Sequence, residues 1–128
     1  MDTIKDRTRR FAINIIKFIN TLPKNAAAFV ITKQIIRSAT SIGANYRAAL
    51  RARSKAEFIS KLGIVEEESD ETIYWLEILV ESGIASGNSV ELLLKEANEI
   101  TSIIVSSLKT AKNKSEVRSM KLEVRSSK

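Results

Sequence analysis

Two rows of like charge are the groups in this sequence whose types and spacing could do chemistry. Lys33, Arg37, Arg47 and Arg51 fall within about 40° of one line when each residue is turned by 100°, as on a helix. Arg7, Arg10 and Lys17 form a parallel row nearer the N-terminus, with Arg9 beside them, and Arg53 and Lys55 follow the first row. Arginine predominates, and its guanidinium grips phosphate through two parallel hydrogen bonds while losing less hydration than an ammonium. These nine residues, Arg7, Arg10, Lys17, Lys33, Arg37, Arg47, Arg51, Arg53 and Lys55, are therefore candidate contacts to a nucleic-acid backbone, although each taken singly also fits a solvated face. Aromatic residues make up only 5% of the chain, so bases would find few stacking partners and recognition would rest on backbone and shape.

The second row is acidic: Glu66, Asp70, Glu77 and Glu81, with Glu67, Glu68 and Glu71 alongside. Carboxylates can hold Mg²⁺ or Ca²⁺, but those ions need oxygens converging from several directions, which one convex helix face does not supply. A solvated face, or a surface that meets the arginine row of another copy, fits better. No metal and no cofactor are expected.

Catalysis is disfavoured by what is missing. The chain has no histidine and no cysteine, which removes the usual base near neutral pH, the thiolate nucleophile, and the common ligands of zinc, copper and non-haem iron. The expectation is a protein that binds rather than an enzyme.

Charge is also sorted along the chain. Residues 1–55 hold twelve Lys/Arg against two Asp/Glu, residues 56–111 three against eleven, and residues 112–128 six against two. Such blocks suit surfaces that meet something of opposite sign, a polyanion or a second copy.

The elements that must position these rows are helices, since one proline and four glycines are too little turn chemistry for an all-β chain of 128 residues. The spacing predicts a first helix from Asp2 or Thr3 to Asn20, with Phe11, Ile15, Phe18 and Leu22 inward and Pro23 beyond its end. A second, capped by Asn25, runs from Ala26 to Ala52 on Ala28, Ile31, Ile35, Ala39, Ile42, Tyr46 and Ala49. Gly43 within it costs about 1 kcal/mol against alanine and calls for a packing reason. Ser54 and Glu57 form a capping box that opens the third helix, which carries Phe58, Leu62, Val65, Thr72, Leu76 and Leu79 inward to about Ser82, with Gly83 as its stop. Asn88 and Glu91 repeat the box before a fourth, with Leu93, Ala97, Ile100, Ile104 and Leu108 inward, fading near Ala111.

Four amphipathic helices with short connections predict an all-α, antiparallel up-down four-helix bundle with two long central helices over residues 1–111, followed by a basic, disordered tail over 112–128. Trp75, Ile64 and Ile78 lie on a second apolar flank of the third helix, away from its core stripe. With Glu71 of the acidic row they are the candidate oligomer interface. No apolar run of about 18 residues could span a bilayer, and the polar N-terminus shows no signal-peptide core, so no membrane partner and a cytoplasmic location are expected.

The segments Arg37-Ser-Ala-Thr-Ser-Ile-Gly-Ala-Asn-Tyr-Arg-Ala, Arg51-Ala-Arg-Ser-Lys-Ala-Glu-Phe and Glu66-Glu-Glu-Ser-Asp-Glu-Thr-Ile-Tyr-Trp-Leu-Glu closely resemble the bacterial four-helix bundle proteins encoded in intervening sequences of 23S ribosomal RNA genes. The likeness covers about residues 5–110. It implies a ring-like homopentamer with a basic surface, related to the accessory proteins of diversity-generating retroelements that bind reverse transcriptase and RNA, and it transfers no catalytic residue. Two functions follow as expectations: an RNA-associated homo-oligomer that binds structured RNA, or an assembly adaptor for a protein such as a reverse transcriptase.

Overall fold

The computed structural model describes the backbone of residues 2–126 and the side chains of residues 2–114. Four helices, α1 (Ile4–Ile19), α2 (Ala26–Leu50), α3 (Lys55–Glu81) and α4 (Asn88–Ser126), are joined by connections of six, four and six residues. Each helix lies antiparallel to its predecessor, and α4 returns beside α1 to close a four-sided bundle.

The helix starts are set by local chemistry. Thr3 accepts from the Asp6 N–H at 3.0 Å, Asn25 from the Ala28 N–H at 2.9 Å and Ser54 from the Glu57 N–H at 3.0 Å. Each bond satisfies one N–H that the first turn of a helix leaves without a partner. Glu57 completes only half of the expected box, since its carboxylate accepts from the Arg53 N–H rather than from that of Ser54. At the end of α3 the chain turns through Gly83 at φ +79°, a left-handed conformation that glycine adopts without a steric penalty.

Apart from differences of a residue or two at the ends of α1 and α3, three boundaries differ from those the spacing predicts. Helix α2 stops at Leu50, because Arg51 and Ala52 turn back onto the Ala48 and Ala49 carbonyls. Asn88 is the first residue of α4 rather than its cap, and the Glu91 N–H bonds to the Gly87 carbonyl at 3.3 Å instead. Helix α4 continues past Ala111 to Ser126. No glycine or proline follows Gly87, so nothing in the local chemistry stops the helix at Ala111. The tail expected to be disordered over 112–128 has a helical backbone as far as it is described, to Ser126, and its side chains from residue 115 onward lie outside the described residues.

The core runs the length of the bundle. Phe11, Ile15, Ile35, Ile42, Leu62, Val65, Leu76, Leu79, Ile100 and Ile104 are fully buried, while Leu22, Ile31, Tyr46 and Phe58 of the predicted stripes are half-buried against them. The core also holds Thr8, Ser38, Ser69 and Thr72. Thr72 Oγ1 lies 2.8 Å from Ser38 Oγ across α2–α3, and Thr101 Oγ1 lies 3.0 Å from Ser69 Oγ across α3–α4. These small hydroxyl residues let the helices approach closely and are hydrogen-bonded, so their burial leaves no polar group unsatisfied.

Gly43 faces α1, where a Cβ would lie 3.4 Å from Thr8 Oγ1 and 3.6 Å from Thr8 Cβ. That is van der Waals contact, so the site admits a methyl group and nothing larger. Gly43→Ala is expected to raise the unfolding free energy by about 0.5–1 kcal/mol in urea denaturation, because it removes the glycine penalty within a helix. Gly43→Val is expected to lower it by forcing α1 outward.

Candidate nucleic-acid and subunit interfaces

The fold divides the nine candidate basic residues into two groups. Arg7 lies on the flank of α1 that meets α4, where its guanidinium pairs with Glu96 and, at 2.9 Å, with Glu99. Arg37 reaches from α2 to α3, binding Glu68 at 3.2 Å and Glu71 as well. Arg10 pairs with Asp2. The hydrogen bond to Glu96 holds the Arg7 pKa above its ordinary value, and that to Glu71 does the same for Arg37. These three arginines are already engaged within the subunit.

The other six, Lys17, Lys33, Arg47, Arg51, Arg53 and Lys55, are exposed and make no ion pair among the described residues. Lys17 borders a groove between α1 and α4 that is floored by Phe11, Phe18 and Leu93. Lys33 places its Nζ 5.9 Å from the centre of the Phe29 ring, within cation–π range. The remaining four form a group. Arg47 and Arg51 end α2, and Arg53 and Lys55 follow within the turn to α3. Because α1 runs antiparallel to α2 and α4 antiparallel to α3, Lys5 at the start of α1 and Lys109, Lys112 and Lys114 on α4 lie at the same end of the bundle. Sequence spacing did not join these lysines to the cluster, since α1 and α4 meet it only through the topology.

On α3, Glu66, Glu67, Asp70, Glu77 and Glu81 line the side away from α2, whereas Glu68 and Glu71 turn toward Arg37. Among the described residues no group of three or more carboxylates is arranged to hold a metal ion. Glu71 also accepts from the Trp75 indole N–H at 3.4 Å. Trp75 is half-buried and packs against the core, while Ile64 and Ile78 are half-buried without joining it. The adjacent Tyr74, which the spacing did not single out, is 56% exposed and meets the Trp75 ring edge-on at 5.1 Å.

The Arg37 hydrogen bond holds the Glu71 carboxyl below its ordinary value. A depressed carboxyl contributes stability that is fully present above its unfolded-state pKa and is lost as pH falls through the lowered folded-state value. Arg37→Gln is therefore expected to move Glu71 upward in an NMR titration and to make the acid loss of stability shallower. An unchanged titration would show that the pair does not persist in solution.

None of the helices among the described residues is long and apolar enough to cross a membrane. The family described as 23S rRNA-intervening sequence protein matches residues 3–106. A crystal structure of a protein of unknown function from the S23 ribosomal protein family of Bacteroides thetaiotaomicron superposes with a TM-score of 0.78 at 39% identity, covering 84% of this chain and 99% of that one. No curated protein matches the chain.

Proposed function

The chain belongs to the 23S rRNA-intervening sequence protein family, and from that premise we propose that it is a non-catalytic, self-associating protein that binds structured RNA through the basic end of its bundle. The observation that carries this reading is the group Arg47, Arg51, Arg53 and Lys55, exposed and without carboxylate partners among the described residues. Four cations projecting from a helix end and its turn can neutralise phosphates on a folded RNA without reading bases. Self-association repeats the cluster around an assembly, five times for the subunit number that the resemblance implies, and so raises a weak contact to a useful one through avidity. The cytoplasm is the compartment that fits such a role.

Binding of a labelled RNA hairpin, followed by fluorescence anisotropy across salt concentrations, tests the proposal. Four phosphate contacts predict an affinity that weakens roughly a hundredfold between about 50 and 200 mM salt. Absence of binding at the low-salt end overturns it. That outcome would favour the second reading, an adaptor for a protein partner such as a reverse transcriptase, which the exposed apolar side chains on α1, α2 and α3 support.

A further inference from the structure

Two exposed apolar faces on different sides of the bundle carry rims of opposite charge. The first spans α1 and α2, where Ile13 is 43% exposed, Ile16 41%, Phe29 67% and Ile36 38%. Thr8 of α1 abuts Gly43 of α2, and counting outward along the antiparallel pair brings Ile16 level with Ile36 and the end of α1 level with Phe29. The rim of this face is basic: Arg9 and Lys17 lie one turn on either side of Ile13, and Lys33 lies over Phe29. The second face is on α3, where exposed Tyr74 is braced edge-on by Trp75 and followed one turn later by half-buried Ile78. Its rim is acidic: Asp70 lies one turn before Tyr74, and Glu77 and Glu81 lie one and two turns after it, all exposed.

We infer that the acid-rimmed Tyr74 face of one copy docks on the basic-rimmed Ile13–Phe29 face of the next, so that subunits associate head to tail. The inference rests on the self-association proposed above and names the surfaces that carry it. Charge decides the pairing. Placing either face against its own copy would set Asp70, Glu77 and Glu81, or Arg9, Lys17 and Lys33, against their like, which costs free energy and disfavours a two-fold contact. Placing one against the other buries both apolar centres and pairs the rims. A contact between two different patches leaves one of each unsatisfied in any open assembly, so it propagates beyond a dimer, into a closed ring where the rotation between subunits permits and an open chain where it does not. Within one subunit the two faces cannot meet, because the bundle core stands between them.

Two surface variants test the assignment by light scattering. Tyr74→Arg with Glu77→Lys disables only the α3 face, and Phe29→Glu with Lys33→Glu disables only the α1–α2 face. Each alone is expected to fall to the single-chain mass of 14.3 kDa. Their mixture retains one intact face of each kind and is expected to form a one-to-one heterodimer of twice that mass and nothing larger. Heterodimer formation also reports that both variants are folded, as does an unchanged helical circular dichroism spectrum. If the wild-type chain is itself a monomer, the self-association reading fails. If the wild type assembles and either folded variant keeps its full mass, or the folded mixture stays monomeric, the face assignment alone is overturned.

Discussion

Phe11→Ala is expected to lower the unfolding free energy by about 3–5 kcal/mol, a fifth or more of the roughly 5–15 kcal/mol that a domain usually has. Phe11 is 1% exposed and sits mid-way along α1, with Ile15 and Phe18 as the other fully inward anchors of that helix. Helix α1 has 16 residues, against 25 in α2 and 27 in α3, and its flank toward α4 opens into the groove that Phe11 itself floors. Neighbouring side chains therefore cannot close over the lost ring without moving the helix, and the cavity term adds to the loss of apolar burial. Amides of α1 should exchange with solvent before those of α3, since α1 is the least extensively packed element. A drop below about 1.5 kcal/mol in urea denaturation would mean that the site refills readily.

Replacing Arg47, Arg51 and Arg53 together by glutamate is expected to weaken hairpin RNA binding several hundredfold at about 0.1 M salt and to lower the salt-dependence slope by about three. All three are exposed and without ion pairs among the described residues, so the substitution removes phosphate contacts and adds repulsion while leaving the core untouched. Arg37→Gln, by contrast, should change RNA affinity less than threefold, because that guanidinium is already held by Glu68 and Glu71. Comparable losses from the two variants would show that the α2–α3 ion pairs yield to RNA and that the whole row acts together.

Much of this architecture was legible in the residues. The caps Asn25 and Ser54 were readable because an N-cap is a contact across three residues of chain, whereas Thr3, expected only as a possible first residue of α1, proves to be its cap. The inward stripes from Phe11 to Leu108 were readable because a helix returns to the same face every 3.6 residues. The continuation of α4 past Ala111 to Ser126 was not, since a thinning of the apolar stripe ends a helix's packing without ending its backbone hydrogen bonding. The buried hydroxyls Ser38 and Ser69 were invisible for another reason: small polar residues inside a bundle resemble surface residues until a partner such as Thr72 or Thr101 is brought to within hydrogen-bond distance.

The candidate interfaces divide in the same way. The sequence by itself determined that one half of the chain is basic and the middle acidic, that these charges form rows along helices, and that four helices carry them, because all of these depend on neighbours within a few turns. Only the tertiary structure decided which cations remain available. Arg37 and Glu68 are 31 positions apart, and Arg7 and Glu96 are 89 apart, so periodicity places each on its own helix but says nothing of how that helix is rotated toward the next. That rotation follows from packing Phe11, Ile35, Leu76 and Ile100 into one core. It turns Arg7 and Arg37 onto carboxylates while leaving Arg47, Arg51, Arg53 and Lys55 exposed where α2 turns into α3.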